Sequence, residues 1–284
     1  LPSVLLLFQT YYLAKQNTLI TNQSELFLEQ TNRLDQQTYL QEADRRAAVI
    51  LSLDNLISEV NDEISNGRPL SQATTGRLVA FSKILKPYRY LENDSLTIRP
   101  ISPERGYLLT VLLESPVRLN SRLSRSQPTL KERLDFTYAE LRGATIVRED
   151  LQQIDLSFAD LQEAKLTGTD FKNSDFKEVT FKNTDFSFAS LEGSNLEGAV
   201  LTNANLNGTN LKKAKLYGAN LLNVRLNNTV IVDSEFNEAL VSEDFFASAK
   251  ANLDEANFKY LSENFLMEEK EKGVYWLISK KTED

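Results

Sequence analysis

Leu201-Thr202-Asn203-Ala204-Asn205-Leu206-Asn207-Gly208-Thr209-Asn210-Leu211-Lys212-Lys213-Ala214-Lys215-Leu216 returns to leucine every fifth residue. Stepping outward by five from Leu206 meets Leu, Ile or Phe at 21 consecutive positions, from Phe136 to Phe236. A period of five fits neither standard element. On an α-helix five residues advance by about 140°, which scatters the apolar positions around the cylinder. On a flat strand an odd period throws them to alternate faces. A chain that turns by a constant amount every five residues keeps all steps equivalent, and that is a solenoid.

The remaining repeat positions agree. Two residues before the apolar centre the side chain is mostly small, as at Ala139, Ala159, Ser174, Ala204 and Ala219, which suits an inward corner. Two residues after it, 11 of 21 positions are Gly or Asn, the residues most tolerant of left-handed backbone. Proline is absent after Pro128, so nothing removes a ladder N–H.

The units Ala204-Asn205-Leu206-Asn207-Gly208 and Ala219-Asn220-Leu221-Leu222-Asn223 resemble the A-(D/N)-L-x-x motif of the pentapeptide-repeat family. The resemblance implies a right-handed quadrilateral parallel β-helix with four pentapeptides per coil. It runs unbroken through residues 134–241 and resumes, after a change of phase, at Ala251-Asn252-Leu253 and Ala256-Asn257-Phe258. Residues 20 apart then stack at roughly 4.8 Å. Phe171, Phe176, Phe181 and Phe186 would fill one coil as a phenylalanine layer.

Composition narrows the function. The 284 residues contain no cysteine and no histidine, which removes thiolate chemistry, the usual general base and the commonest metal ligand. No catalytic residue, cofactor or metal is expected, and the chain reads as a non-enzyme. The formal net charge of −8 is unevenly spread. Residues 1–67 carry −5, residues 68–133 carry +7 and residues 134–260 carry −8, an asymmetry that argues for separate modules.

The N-terminal stretch Val4-Leu5-Leu6-Leu7-Phe8 is apolar and is followed by Tyr11, Tyr12 and Lys15. The sole methionine is Met267, so the chain reads as a fragment, a processed form or part of something longer. Residues 1–10 are read as the end of a transmembrane helix with an aromatic and cationic boundary, the other reading being a short buried or partner-facing helix. Residues 11–67 form a long helix stopped by Asn66-Gly67 and Pro69. Leu13, Ile20, Phe27 and Leu34 recur every seven residues, and Gln16, Gln23 and Gln30 occupy another heptad position. This predicts a coiled-coil oligomerisation seam with glutamine layers, or an aliphatic seam beside a solvated glutamine flank.

Residues 68–133 read as a basic helical linker module, with one helix from about Ser71 to Leu85 and another started by Ser102 as N-cap and Pro103 in the first turn. Its charges suit anionic lipid or an acidic partner, unless they pair with the acidic segments on either side. Lys86-Pro87-Tyr88-Arg89-Tyr90-Leu91 and Ser102-Pro103-Glu104-Arg105-Gly106 resemble a linker in bacterial membrane-anchored pentapeptide-repeat proteins. That resemblance implies the bacterial inner membrane, with the solenoid in the cytoplasm. The whole is α+β: a long helix or coiled coil, the helical module, a β-helix over 134–260, and a cap and tail over 261–284 made of a helix and a short strand.

Two surface features stand out. Asp135, Asp155 and Asp175 lie 20 apart and would ladder on one face. Stacked like charges suggest a cation site or a partner surface, unless each carboxylate caps local N–H groups. Tyr138 and Phe158 also stack 20 apart, and docking of the helical module there would close the open end of the rod. The function expected is a membrane-anchored scaffold that presents a repeat rod on an oligomerising stalk to a protein partner. An accessory subunit of a larger membrane complex is an alternative. So is the DNA mimicry by which some family members bind topoisomerases, although Lys212-Lys213-Lys215 interrupts the acidic surface. Nucleic acid is not an expected partner, since no binding motif is present.

Overall fold

The computed structural model describes residues 2–66, 70–89, 91–92, 95–96, 99–115, 119 and 129–280; before residue 45 the described side chains are those at 15–16, 21–26, 29–30 and 33. Helix α1 spans Pro2–Ser65 and ends at a turn on Asn66. The chain divides into two compact units, Leu1–Ser52 and Leu53–Asp284. In the first, the Arg33 guanidinium meets Glu29 at 2.7 Å, one turn away along the helix.

The second unit opens with the last turns of α1. Leu53, Leu56, Ile57 and Val60 are buried there. Helix α2 (Gln72–Ile84) starts at Ser71, whose hydroxyl accepts from Thr74 N–H. Glu63 of α1 binds this start by accepting from Ser71 N–H at 2.7 Å and Thr74 Oγ1 at 2.6 Å. A short antiparallel pair, β1 (Leu91–Glu92) and β2 (Ser95–Leu96), precedes α3 (Pro103–Glu114). Ser102 caps α3 through Arg105 N–H, and Pro103 occupies its first turn, as the residues predict. Helix α4 (Leu130–Arg133) leads into the coils.

From Glu140 to Leu240 the backbone forms parallel bridges between residues 20 apart, beginning with Glu140 to Asp160 and ending with Asn220 to Leu240. Four pentapeptides therefore make one coil. From Leu141 to Leu221 each apolar centre donates to the next coil, as Leu141 N–H does to Asp160 O at 2.7 Å. From Asp160 to Leu240 the residue before each centre donates to the previous coil, as Asp160 N–H does to Ala139 O at 2.9 Å. Every one of the 21 turn positions is left-handed, with φ between 54° and 70°. A square coil needs that corner every fifth residue, which is why Gly and Asn recur there.

The interior is filled by the centres. Phe171, Phe176, Phe181 and Phe186 are fully buried and meet edge to face at centroid distances of 4.7 to 6.5 Å. Most hydroxyls at the small inward positions bond to the carbonyl of a centre one coil back, while Ser194 bonds Leu191 O of its own coil. Thr169 reaches Ile146 O at 2.8 Å and Thr184 reaches Leu161 O at 2.7 Å. Buried polar groups so paired carry little penalty.

The C-terminal end differs from the expected coils to residue 260. Strand β3 (Ala239–Ser242) is followed by helices α5 (Phe245–Asn252) and α6 (Glu255–Asn264), which hold the Ala-Asn-Leu and Ala-Asn-Phe runs. These runs are too short to override helical context. Asp254 nucleates α6 by accepting from Asn257 N–H at 2.8 Å. Instead of one terminal strand there are two, β4 (Phe265–Glu271) and β5 (Val274–Ser279), turning at Gly273 with φ 78°. The sheet order is β3-β5-β4, all antiparallel, and Leu240 of β3 also bridges Asn220, so the hairpin extends one face of the rod.

Candidate interaction surface

Counting backbone groups along one pentapeptide explains the Asp and Asn positions. Four of its N–H groups enter ladder or turn bonds, and the N–H just after the apolar centre does not. The side chain just before the centre accepts it. Asp135 does so from Thr137 N–H at 3.1 Å, Asp155 from Ser157 at 3.0 Å and Asp175 from Lys177 at 3.0 Å. Asn210 does the same for Lys212 at 3.0 Å. A short acceptor that reaches two residues forward is what this orphan donor requires.

Of the Asp135, Asp155 and Asp175 column, Asp155 and Asp175 are direct bridge partners. Its carboxylates are engaged at both ends by the chain itself, by a cation at one and an amide at the other. Arg105 of α3 donates to Asp135 Oδ2 at 2.8 Å and to Thr137 O at 2.7 Å. At the other end Asn195 donates to Asp175 Oδ1 at 3.1 Å. Burial lowers the Arg105 pKa, and Asp135 and Asp155 oppose that shift. Among the described residues no group of acidic side chains is arranged to hold a metal ion.

Around Arg105 the segment Ser102–Gly106 forms the joint with the first coil. Ser102 N–H donates to Tyr138 O at 2.7 Å and Ser102 O accepts from Glu140 N–H at 3.1 Å, so Ser102 stands in for a preceding coil. Glu104 accepts from Tyr88 Oη at 2.9 Å. A Cβ on Gly106 would lie 1.9 Å from Glu140 O, so the helix reaches the coil only because this residue is glycine. Tyr138 and Phe158 stack at 4.8 Å with 12° between their planes, both half-buried. The sequence flagged this segment through a resemblance, but not the roles of Arg105 and Gly106.

Several charges of the basic block pair with acidic neighbours. Arg77 pairs with Glu59 of α1, Arg99 with Glu178 at 3.7 Å and Lys131 with Asp150 at 3.7 Å. Burial lowers the Lys131 pKa, with Asp150 opposing. Arg118, Arg122 and Arg125 lie outside the described residues or side chains. On α1, Gln16, Gln23 and Gln30 are exposed, while the side chains of Leu13, Ile20, Phe27 and Leu34 lie outside those described. Among the described residues no helix is long and apolar enough to cross a membrane.

The far end of the rod is closed by the same accounting. Donors that the next coil would have taken find Asn252 O (from Asn228 N–H, 3.0 Å) and the Asn257 side chain (from Ile231 N–H, 2.6 Å). Glu238 N–H bonds Leu277 O at 2.8 Å. Asn257 is buried and is itself held by Asp254 at 2.9 Å.

The pentapeptide repeats family matches residues 154–193, 180–216 and 194–231, with eight copies. No curated protein sequence matches the chain. Solved structures that match include a pentapeptide repeat protein, Rfr23, from the cyanobacterium Cyanothece 51142. It is 24% identical over 37% of this chain and 85% of its own, with a TM-score of 0.36. A pentapeptide repeat protein of the Arabidopsis thaliana thylakoid lumen is 22% identical over 41% of this chain and 81% of its own, with a TM-score of 0.24. HetL from Nostoc sp. strain PCC 7120, involved in heterocyst differentiation regulation, is 20% identical over 37% of this chain and 67% of its own, with a TM-score of 0.18. With the unbroken five-residue period, the family match establishes that the chain belongs to the pentapeptide-repeat family.

Proposed function

We propose that the chain is a non-enzymatic scaffold: a right-handed repeat rod that binds a protein partner, carried on a helix that oligomerises and leads to a membrane. The observation that carries this reading is the use of the rod's carboxylates. Those that the sequence offers as a site all cap backbone donors, and Asp135 also pairs with Arg105. Along the described coils the rod presents outward a regular, repeating surface. The heptad of Leu13, Ile20, Phe27 and Leu34 supports self-association through α1, and the apolar start followed by Tyr11, Tyr12 and Lys15 supports the membrane.

Sedimentation of the whole chain tests the stalk. It should give one defined oligomer, and Ile20→Asp with Phe27→Asp should give a monomer with unchanged β-helix stability. A parent chain that sediments as a monomer removes the stalk. Cell fractionation tests the anchor: retention in the pellet through an alkaline carbonate wash is the expected result, and full solubility removes it. The rod's excess of acidic residues favours, second, the DNA-mimic reading, which a topoisomerase-inhibition assay decides.

A further inference from the structure

Where α2 and α4 meet the first coils, the second unit holds a cavity of about 800 Å³. It brings together three cations from two helices: Lys83 of α2, and Lys131 and Arg133 from the end of α4. Val79, Leu134 and Phe136 add an apolar strip. Three carboxylates also line it, and each is engaged elsewhere. Asp135 takes Arg105 on one oxygen and Thr137 on the other. Asp155 accepts from the N–H and hydroxyl of Ser157 at 3.0 and 2.6 Å, and Glu132 accepts from the Thr129 hydroxyl at 2.7 Å. The cations are less well matched. Lys131, whose side chain is only 4% exposed, has Asp150 at 3.7 Å. Lys83 and Arg133 form no ion pair with any described residue.

We infer that this cavity binds a ligand through a phosphate monoester group held by Lys83, Lys131 and Arg133. The charge count favours phosphate. A carboxylate or a phosphodiester brings one negative charge, whereas a phosphate monoester brings about −1.5 to −2 at pH 7. Two cations without partners, beside a third that is buried and loosely paired, match the dianion. The Arg133 guanidinium supplies a fork for two of its oxygens. One phosphate fills a small part of the volume, which leaves the apolar strip and Gln153 to contact an organic body. Because its cations stand on two helices, the bound group would tie α2 and α4 together beside the first coil. A soluble phosphate ester and a phosphatidic acid headgroup present the same chemistry, and the test separates them. This site is independent of the proposed stalk and anchor.

The first measurement is isothermal titration of the whole chain with inorganic phosphate at constant ionic strength. Phosphate should bind, and acetate, with a single charge, should not displace it. Lys83→Gln with Arg133→Gln should weaken binding by about tenfold or more, as expected for loss of charge-assisted bonds. Lys83→Gln alone, at an exposed position, should weaken it less and serves if the double variant folds poorly. Lys182→Gln removes an exposed charge elsewhere on the rod and should leave affinity unchanged. Vesicle cosedimentation then identifies the source. Stronger binding to phosphatidylcholine vesicles containing phosphatidic acid than to those containing phosphatidylglycerol, with the preference lost in Lys83→Gln, assigns a lipid headgroup. Phosphate binding without that preference assigns a soluble ester. No binding of phosphate or phosphatidic acid, displacement by acetate, undiminished binding in the variants, or equal weakening by Lys182→Gln would each overturn the site. Sedimentation of the parent chain reports on the stalk separately, so the two readings fail independently.

Discussion

At the residue scale the corner and the joint make opposite demands on glycine. Ten of the 21 corners are neither Gly nor Asn yet have positive φ, among them Gln153, Glu163 and Phe188. Each holds an L side chain in a conformation that costs roughly 1–2 kcal/mol, partly offset by the greater entropy that glycine would lose. Glu163→Gly should therefore leave stability unchanged or raise it by up to about 1 kcal/mol, measurable as a small rise in the chemical-denaturation midpoint. Gly106 is the reverse case. Its Cβ would enter Glu140 O, so Gly106→Ala should destabilise the joint by about 1–3 kcal/mol or more. Hydrogen exchange should show the loss first at the Ser102 and Glu140 amides, whose bonds join the helix to the first coil.

At the element scale, one coil is the repeating unit of the hydrogen-bond ladder. Its ladder needs a neighbour on each side, so the two ends are closed by other means. At the start Ser102 supplies a bridge, and at the finish Asn257 and β5 accept the leftover donors. Asn257→Leu would leave Ile231 N–H buried without an acceptor, at a cost of about 1–3 kcal/mol. The expected result is early exchange of the last coil with the phenylalanine layer still protected. Uniform loss of protection along the rod would show instead that the coils unfold as one unit. Leu206, whose side chain is 1% exposed, sits in mid-rod, and Leu206→Asp should melt the coils on either side of it, as judged by circular dichroism.

At the scale of the whole molecule, stability should depend on acid through the capping carboxylates. Burial raises the pKa of Asp185, but bonds from Ser187, Thr167 and Asn205 outweigh it and hold the group below the ordinary carboxylate range. Asp254 is lowered by the Asn257 N–H and side chain. A depressed carboxylate stabilises the folded state at pH values above its unfolded pKa, and that contribution is lost as pH falls through the folded pKa. The melting temperature should accordingly fall as pH drops below about 4, and Asp185→Asn should flatten part of that fall. An unchanged acid slope in Asp185→Asn would remove this residue from the account.

The period of five and the helix starts at Ser71 and Ser102 are legible in the letters, while the four-pentapeptide coil, and with it the phenylalanine layer, came from the family resemblance. Both kinds of signal depend on local chemistry, and in the rod every copy of the repeat reinforces the reading. The end of the coils was not legible, because Ala-Asn-Leu at 251–253 spells both a repeat unit and a good helix, and only β3 leaving to pair with β5 decides between them. The partners of Asp135, Glu178 and Asp150 were equally hidden. Arg105 lies 30 residues from Asp135 and Arg99 lies 79 from Glu178, with no period to announce the pairing. Repetition made the rod readable from sequence alone, whereas its closures and charge pairs are single, long-range events that exist only once the chain has folded.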